Sequence, residues 1–384
     1  MKQALTVLQN LYQDPLLAAF FVWTDSQAEQ DFYAFLQTLY QLDAQDDFSK
    51  YLEEKIIYDV NAFSLACGKK KKLSPFVENA FAEDLCTLCD LLNKLQAPKE
   101  FAVGNTFLTV QKDVARYVKK LKKFYARYGY GDFIRYRAFT FENGALRGVQ
   151  SPSPVRLCDL KDYEDEKSII ASNIEHFLQG LPYSNMLLYG ERGTGKSSTV
   201  HAMLNEYFSE GLRLVELSKE NMLQISRLKE SLKNVPLKFM IYIDDLSLSA
   251  GDERISSLKA ALEGCSEGHT ENAMIVATSN RRHLIDEKFS QRQDSVHAGD
   301  SMQEELSLSD RFGISVLFTS TNKAQYLSIV DQLARDIKLT MPEPELHLLA
   351  ERWAIVKGGR SPRRAKQFVN LAYSLTSKGM PVVF

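Results

Sequence analysis

The chain has 384 residues, of which 45% are apolar and 25% charged, and a formal net charge of −2. That length calls for two or three domains and supports a real hydrophobic core, with a composition ordinary for a globular protein. A charge this close to zero excludes a global field toward nucleic acid or membrane, so any such surface has to be local. The N-terminal stretch MKQALTVLQNLYQDPLLAAFFVW breaks its apolar residues with Gln, Asn, Asp and Pro. It lacks the continuous apolar stretch of a signal peptide and the roughly 20 apolar residues of a spanning helix. No membrane insertion is expected, and a cytoplasmic location is. Cys67, Cys86, Cys89, Cys158 and Cys265 form an odd, sparse set that fits a reducing compartment better than a disulfide framework.

Residues 1–132 read as an α-helical N-terminal domain, because apolar residues recur at helical spacing in DFYAFLQTLYQLDA and FVENAFAEDLCTLCDLLNKL. Within it, CTLC offers Cys86 and Cys89 as a lone C-x-x-C. No second pair stands at zinc spacing, and both are expected as core cysteines. KKKK at 69–72 and the segment 112–137 are basic. The latter carries nine Lys and Arg against two Asp, interleaved with Tyr117, Phe124, Tyr125, Tyr128, Tyr130 and Tyr136. Two readings stand: a surface for nucleic acid or an acidic partner, or an amphipathic helix with aromatics inward and lysines in water. Residues 133–154 follow as a β-hairpin, turning at Asn143-Gly144, and an SPSP linker.

From 155 to 321 short apolar runs (NMLLYG, LRLVEL, KFMIYIDD, AMIVATSN, ISVLFTS) alternate with helical stretches, the pattern of a parallel sheet with crossover helices. SQRQDSVHAGDSMQEE at 290–305 reads as a long loop or insertion. Residues 322–384 return to helical spacing.

LLYGERGTGKSST contains G-x-x-x-x-G-K-[ST] as Gly190, Gly195, Lys196 and Ser197, after an apolar strand and before a helix. Backbone N–H groups of such a turn cradle phosphate oxygens, and glycines permit the close approach. The candidate nucleotide-binding residues are Gly190, Glu191, Arg192, Gly193, Thr194, Gly195, Lys196, Ser197 and Ser198. Lys196 is expected at the β- and γ-phosphates and Ser197 on Mg²⁺. KFMIYIDDLSL ends a strand in two acids. Asp244 is assigned to Mg²⁺ and Asp245 to the attacking water, against the alternative of a capping aspartate.

These residues resemble the AAA+ ATPases and, more narrowly, the uncharacterised bacterial family of predicted ATPases labelled DUF815. The resemblance runs over about 135–384 and rests on LKDYEDEKSIIASNIEHFLQGLPYSNMLLYGERGTGKSS, KFMIYIDDLSL, LKAALEG, ATSNRRHLI, LSDRFG and GGRSPRRAKQFVN, in that order. It implies an α/β P-loop AAA+ module with a parallel five-stranded sheet in the order 5-1-4-3-2 and a helical lid over 322–384. It also implies that Asn280 is a sensor of the attacking water. Arg311 would be an arginine finger acting on a neighbouring subunit, and Arg363 a lid arginine, with Arg360 and Arg364 as rivals. An isolated arginine is otherwise a surface ion pair of small value. Arg281 and Arg282 either face a subunit interface or solvate a loop, and His283 is taken as structural. Many AAA+ proteins carry Asp-Glu where this chain has Asp-Asp, which makes a slow, switch-like ATPase plausible.

The resulting expectation is an oligomeric AAA+ ATPase using ATP and Mg²⁺, a hexamer by default, that hydrolyses ATP to ADP and phosphate at subunit interfaces. It would remodel or load a protein or nucleic-acid client. The alternative is an ATP-gated assembly switch with little turnover. A kinase lacks use for a trans arginine, and TNKAQ lacks the Asp of a guanine-reading motif.

Overall fold

A computed structural model describes residues 4–382 except 70, 96–98, 105, 107, 109–112, 250–251, 264–271, 282–283 and 287–307. Lys112, Cys265, Arg282, His283 and the 290–305 insertion therefore lie outside the described residues. The chain forms two compact units: residues 1–136 with 234–237, and residues 137–233 with 238–384.

The first unit is helical: α1 (Pro15–Ser26), α2 (Glu29–Gln41), α3 (Phe48–Tyr58), α4 (Ala62–Gly68), α5 (Pro75–Lys94), α6 (Val114–Tyr128) and the single turn α7 (Asp132–Arg135). Its core is rich in aromatic rings; Phe20, Phe35 and Phe48 meet with centroids 4.8–5.7 Å apart, and Phe63 stacks on Phe81 at 4.0 Å. Asp14 caps α1 by accepting from the Leu16 and Leu17 amides, and also receives Lys55 and the Tyr51 hydroxyl. Cys89 is buried in α5, and burial raises its thiol to about 11. Cys86, three residues earlier, is exposed instead of buried as expected, because a 300° advance leaves it at the edge of the apolar stripe.

The second unit begins with β1 (Ala138–Glu142) and β2 (Ala145–Gly148), joined at Asn143-Gly144, both with positive φ. Residues 133–135, placed at the hairpin's start by the sequence, belong instead to the helical turn Asp132–Arg135. Then come α8 (Glu164–Gln179), β3 (Met186–Gly190), α9 (Lys196–Tyr207), β4 (Leu212–Glu216), α10 (Ile225–Leu232), β5 (Lys238–Ile243), β6 (Leu248–Ser249), α11 (Glu253–Glu263), β7 (Ala273–Ser279), β8 (Ile285–Asp286) and β9 (Ile314–Phe318). The main sheet runs β2-β1-β4-β5-β7-β3-β9. Its parallel strands β9-β3-β7-β5-β4 stand in the 5-1-4-3-2 order. The sheet is seven-stranded where five were expected, because β1 pairs in parallel with β4 and carries β2 to the edge. A separate pair, β6 and β8, is also parallel.

The strands are apolar at successive positions because both faces are covered. Met186 and Leu188 join Ile174, Phe177, Val200 and Met203 from α8 and α9. Leu187, between them on the other face, is equally buried. Three helices close the unit: α12 (Lys323–Asp336), α13 (Glu343–Val356) and α14 (Pro362–Thr376). They share a core of Tyr326, Ile329, Ala350, Phe368 and Val369. Asn322 and Gln325 form a reciprocal capping box at α12, and Ser361 caps α14 ahead of Pro362.

Candidate nucleotide-binding site

The loop from β3 to α9 bends as it does because of its glycines. Gly190 has φ 131°, and a Cβ there would lie 2.1 Å from the Phe318 carbonyl oxygen on β9. Gly193 has φ 83°, and a Cβ would press on Ser361 and Arg363 of α14. The loop therefore runs between the sheet and the three-helix body, and Arg363 N–H donates to the Gly193 carbonyl at 3.2 Å. α9 points its N-terminus at the same place, which favours an anion.

Lys196 is almost fully buried, and its ammonium is folded onto the loop, donating to the Gly190 and Glu191 carbonyls at 2.8 and 2.7 Å. Burial pushes its pKa below the ordinary value, with Asp245 and Asp244 pulling the other way. Thr194 Oγ1 donates to the Glu191 carbonyl at 2.9 Å.

Asp244 and Asp245 follow β5, which lies one strand removed from β3, with β7 between them. Ser197 Oγ donates to Asp244 Oδ1 at 2.9 Å. Thr278 Oγ1 and the Tyr242 hydroxyl both donate to the same oxygen at 2.6 Å, and the Asp245 N–H reaches it at 3.1 Å. Burial works to raise the Asp244 pKa, but the hydroxyls of Thr278, Tyr242 and Ser197 and the Asp245 N–H outweigh it and hold the carboxyl below its usual range. Burial, then the bond to Asp244, pushes the Tyr242 phenol well above its ordinary value. Asp245 adopts φ 49°, a left-handed conformation that Asp tolerates, and its side chain accepts from Asn280 Nδ2 at 2.5 Å.

Asp244, Asp245 and Thr278 line one cavity of about 660 Å³, together with Arg192–Ser198, Asn280 and Arg363, while Tyr242 supports Asp244 from outside its lining. Gly190 and Glu191 shape the loop from behind without lining it. The cavity is also lined by Val155, Leu160, Asp162, Tyr163, Ile329 and Leu333. Asp162 and Tyr163 both take positive φ, 70° and 62°. The buried Oδ2 of Asp162 has no hydrogen-bond partner among the described residues. Lys161, in the same segment, pairs with Asp336 of α12 at 2.9 Å.

Of the three lid arginines, Arg363 lines the cavity. Arg360 is held by a two-pronged pair with Glu351, at 2.9 and 2.7 Å. The Arg364 guanidinium lies beside Gly359, ahead of α14. Arg311 does not line the cavity of its own chain; it is half-buried and pairs with Glu263 at the end of α11. Arg281 is exposed just after β7.

Sequence reasoning passed over Thr278, Tyr242 and the 155–163 wall. Thr278 had a signal: it stands two residues before Asn280, so strand alternation gives both the same face. The β5–β7 register, Ile243 opposite Ala277, then brings Asp244 beside Thr278.

A family model described as a protein of unknown function, DUF815, matches residues 134–375. The probable mitochondrial chaperone BCS1-A of Dictyostelium discoideum is 28% identical over 200 residues, 47% of this chain and 44% of that protein. Replication factor C subunit 3 of Schizosaccharomyces pombe is 28% identical over 140 residues, 35% of this chain and 40% of that protein. The chain thus spans less than half the length of these curated relatives. Among solved structures, the RuvB Holliday junction branch migration motor of Thermotoga maritima is similar with a TM-score of 0.41 and 15% identity, covering 59% of this chain and 66% of that one. The ORC1 protein of Aeropyrum pernix, solved in complex with DNA, gives a TM-score of 0.42 and 15% identity, covering 58% and 62%. With the family model covering well over half of it, and with a phosphate loop, an acidic strand end and a 5-1-4-3-2 sheet, the chain belongs to the DUF815 family of AAA+ P-loop ATPases.

Proposed function

We propose that this protein binds ATP with Mg²⁺ in the cavity between the α/β core and the α12–α14 lid. It hydrolyses the γ-phosphate there and uses the cycle to remodel or load a macromolecular client. The observation that carries this reading is the convergence of Lys196, Ser197, Asp244, Asp245, Asn280 and Arg363, from four separate segments, on one cavity.

The phosphates lie along the amides of residues 192–198, at the N-terminus of α9. Lys196 leaves its two carbonyl partners and turns to the β- and γ-phosphates. Ser197 Oγ and Asp244 Oδ1 are adjacent hard oxygen donors, and the hydroxyls around Asp244 keep it ionised, so the pair suits Mg²⁺. Held by Ser197 and Asp244, Mg²⁺ would supply positive charge to offset that of the phosphates. Asp245 orients the attacking water, and Asn280 fixes the Asp245 carboxylate. Arg363 brings the lid's positive charge to the phosphates. The base occupies the part lined by Val155, Leu160, Tyr163, Ile329 and Leu333, where a flat apolar ring is shielded from water.

Arg311 stands outside its own cavity and serves the site of a neighbouring subunit in a homo-oligomer, with a hexamer as the working arrangement. Among the described residues no helix is long and apolar enough to cross a membrane, and a cytoplasmic site of action fits this reading.

The test is Mg²⁺-dependent ATP hydrolysis per subunit as a function of protein concentration, beside nucleotide titrations of the native chain and Lys196→Ala. A specific rate that rises with concentration supports sites completed between subunits. ATP binding without turnover at every concentration overturns the hydrolytic reading in favour of an ATP-gated switch, for which the Asp-Asp pair allows. Unchanged ATP affinity in Lys196→Ala would reject the loop assignment.

A further inference from the structure

The helix α6 has no acidic residue in its fifteen positions, VARYVKKLKKFYARY. Its two faces differ sharply. Tyr117, Val118, Leu121 and Tyr125 are buried in the unit's core. Tyr117 and Tyr125 spend their hydroxyls on Glu53 and on the Ile56 and Ile57 carbonyls. Arg116, Lys119, Lys120, Lys123 and Arg127 are exposed. The sixth cation, Lys122, turns toward α5 and pairs with Glu78 at 2.9 Å. None of the five exposed cations forms an ion pair with a described carboxylate.

This arrangement carries a cost that an ordinary solvated face avoids. Arg116–Lys119, Arg116–Lys120, Lys119–Lys123, Lys120–Lys123 and Lys123–Arg127 stand at i,i+3 or i,i+4, where like charges oppose helix formation. Elsewhere in the same unit α3 alternates Lys50 and Lys55 with Glu53 and Glu54, whereas α5 carries mostly acids, Glu78, Glu83, Asp84 and Asp90. A chain with a net charge of −2 thus concentrates positive charge on one side of one helix, over roughly 16 Å of axis between Arg116 and Arg127.

We propose that this face of α6 docks on the phosphate backbone of double-stranded DNA. Charge complementarity selects a polyanion. Tyr117 and Tyr125 are withdrawn into the core, and the half-buried Phe124 and Tyr128 pack on each other with centroids 5.1 Å apart, which disfavours base stacking, the usual mode of single-strand binding. They also exclude insertion of the helix's apolar face into a lipid surface, since that face is the domain core. Duplex DNA presents about one negative charge per 1.7 Å of axis, and its major groove admits a helix; the deep, narrow major groove of duplex RNA does not. The inference names a client class for the proposed function, yet it rests on the N-terminal unit alone and needs no ATP turnover.

The test is fluorescence anisotropy of the full-length protein, without nucleotide, with a labelled DNA duplex of about 20 base pairs across a salt series. Expected is saturable binding whose log K falls with log salt at a slope of about −4, as four to five neutralised phosphates give. The exposed pair Lys119→Gln/Lys123→Gln, with an unchanged far-UV spectrum, should weaken binding at least about tenfold at low salt and shallow the slope by about 2. No binding at low salt overturns the proposal. So does equal affinity in the variant, or equal affinity for duplex RNA or polyglutamate. Lys196→Ala protein should bind DNA as the native chain does. DNA binding without hydrolysis would therefore spare this inference and sink the hydrolytic reading, and hydrolysis without DNA binding would do the reverse.

Discussion

Asn280 at the end of β7 holds the carboxylate of Asp245 beyond β5 through a 2.5 Å amide-to-oxygen hydrogen bond. The two residues are 35 positions apart in sequence, and the strand pairing of β5 with β7 is what makes them neighbours. The bond orients a carboxylate whose backbone, at φ 49°, already turns it away from the strand axis. Asp245→Asn keeps a residue that tolerates this conformation and removes the charge. ATP affinity should stay near native while single-turnover hydrolysis drops by about 10² or more. Asn280→Ala should lower the same rate by freeing the carboxylate.

Thr278 both donates to Asp244 Oδ1 and accepts the Asp245 N–H, at 2.6 and 2.9 Å, and is almost wholly buried. Thr278→Val keeps the shape and removes one hydrogen bond from each partner. It should destabilise the protein by about 1–3 kcal/mol, measured by denaturant unfolding. The Mg²⁺ concentration needed for half-maximal nucleotide binding should rise as well, since Asp244 loses one of the bonds that keep it ionised.

Arg311→Ala tests the trans arrangement. Its pairing with Glu263 is partly exposed, so the substitution should leave stability within about 1 kcal/mol of native. ATP binding should persist. Hydrolysis should fall by about 10³ if the guanidinium acts on a neighbour's γ-phosphate. Mixing the variant with Lys196→Ala subunits should restore part of the rate, because each supplies what the other lacks. A variant that turns over normally would remove the role.

Gly190→Ala should be among the most damaging single-methyl changes in the chain. The new Cβ would fall 2.1 Å from a backbone oxygen of β9, at a φ of 131° that L-residues avoid. Neither backbone can yield without breaking the β3–β9 ladder. A thermal melt should place the variant well below the native chain, with nucleotide binding lost. Gly180→Ala, where a Cβ meets nothing within 4 Å, is the control for a positive-φ glycine in open space.

Acid should attack the N-terminal unit through Asp14. Burial raises its pKa, but Lys55, the Leu17 amide and the Tyr51 hydroxyl overcome that and hold it below the ordinary carboxylate value. A carboxyl with a depressed folded pKa stabilises above its unfolded pKa of about 3.9. That contribution is lost as pH falls through the lower folded value. Asp14→Asn should therefore cost stability at neutral pH and flatten the acid limb of the unfolding curve below about pH 4. An acid limb identical to native would exclude Asp14 as its source.

How far the site could be read in advance depended on how local each feature is. The phosphate loop was legible because its geometry is made by neighbours in sequence: glycines at fixed offsets, a strand before and a helix after. Asp244 was legible because an acid ending an apolar strand has few places to go. Tyr242 was not, because a strand tyrosine reads as core. Its ring does pack among core residues, and only its hydroxyl reaches Asp244. The hairpin at 138–148 was legible from its turn, but not its place, because pairing of β1 with β4 joins segments some 75 residues apart.

The sequence by itself determined the fold class and the order of the nucleotide motifs. Each follows from short-range spacing, which decides which side chains share a face or a turn. Only the tertiary structure decided which lid arginine meets the cavity. Arg360, Arg363 and Arg364 are equivalent as letters. The packing of α14 against the phosphate loop aims Arg363 inward, Glu351 captures Arg360, and Arg364 turns toward Gly359. The same holds for the buried aromatics of α6, whose inward rotation is set by α3, α4 and α5, and which leave to the solvent a face made of cations.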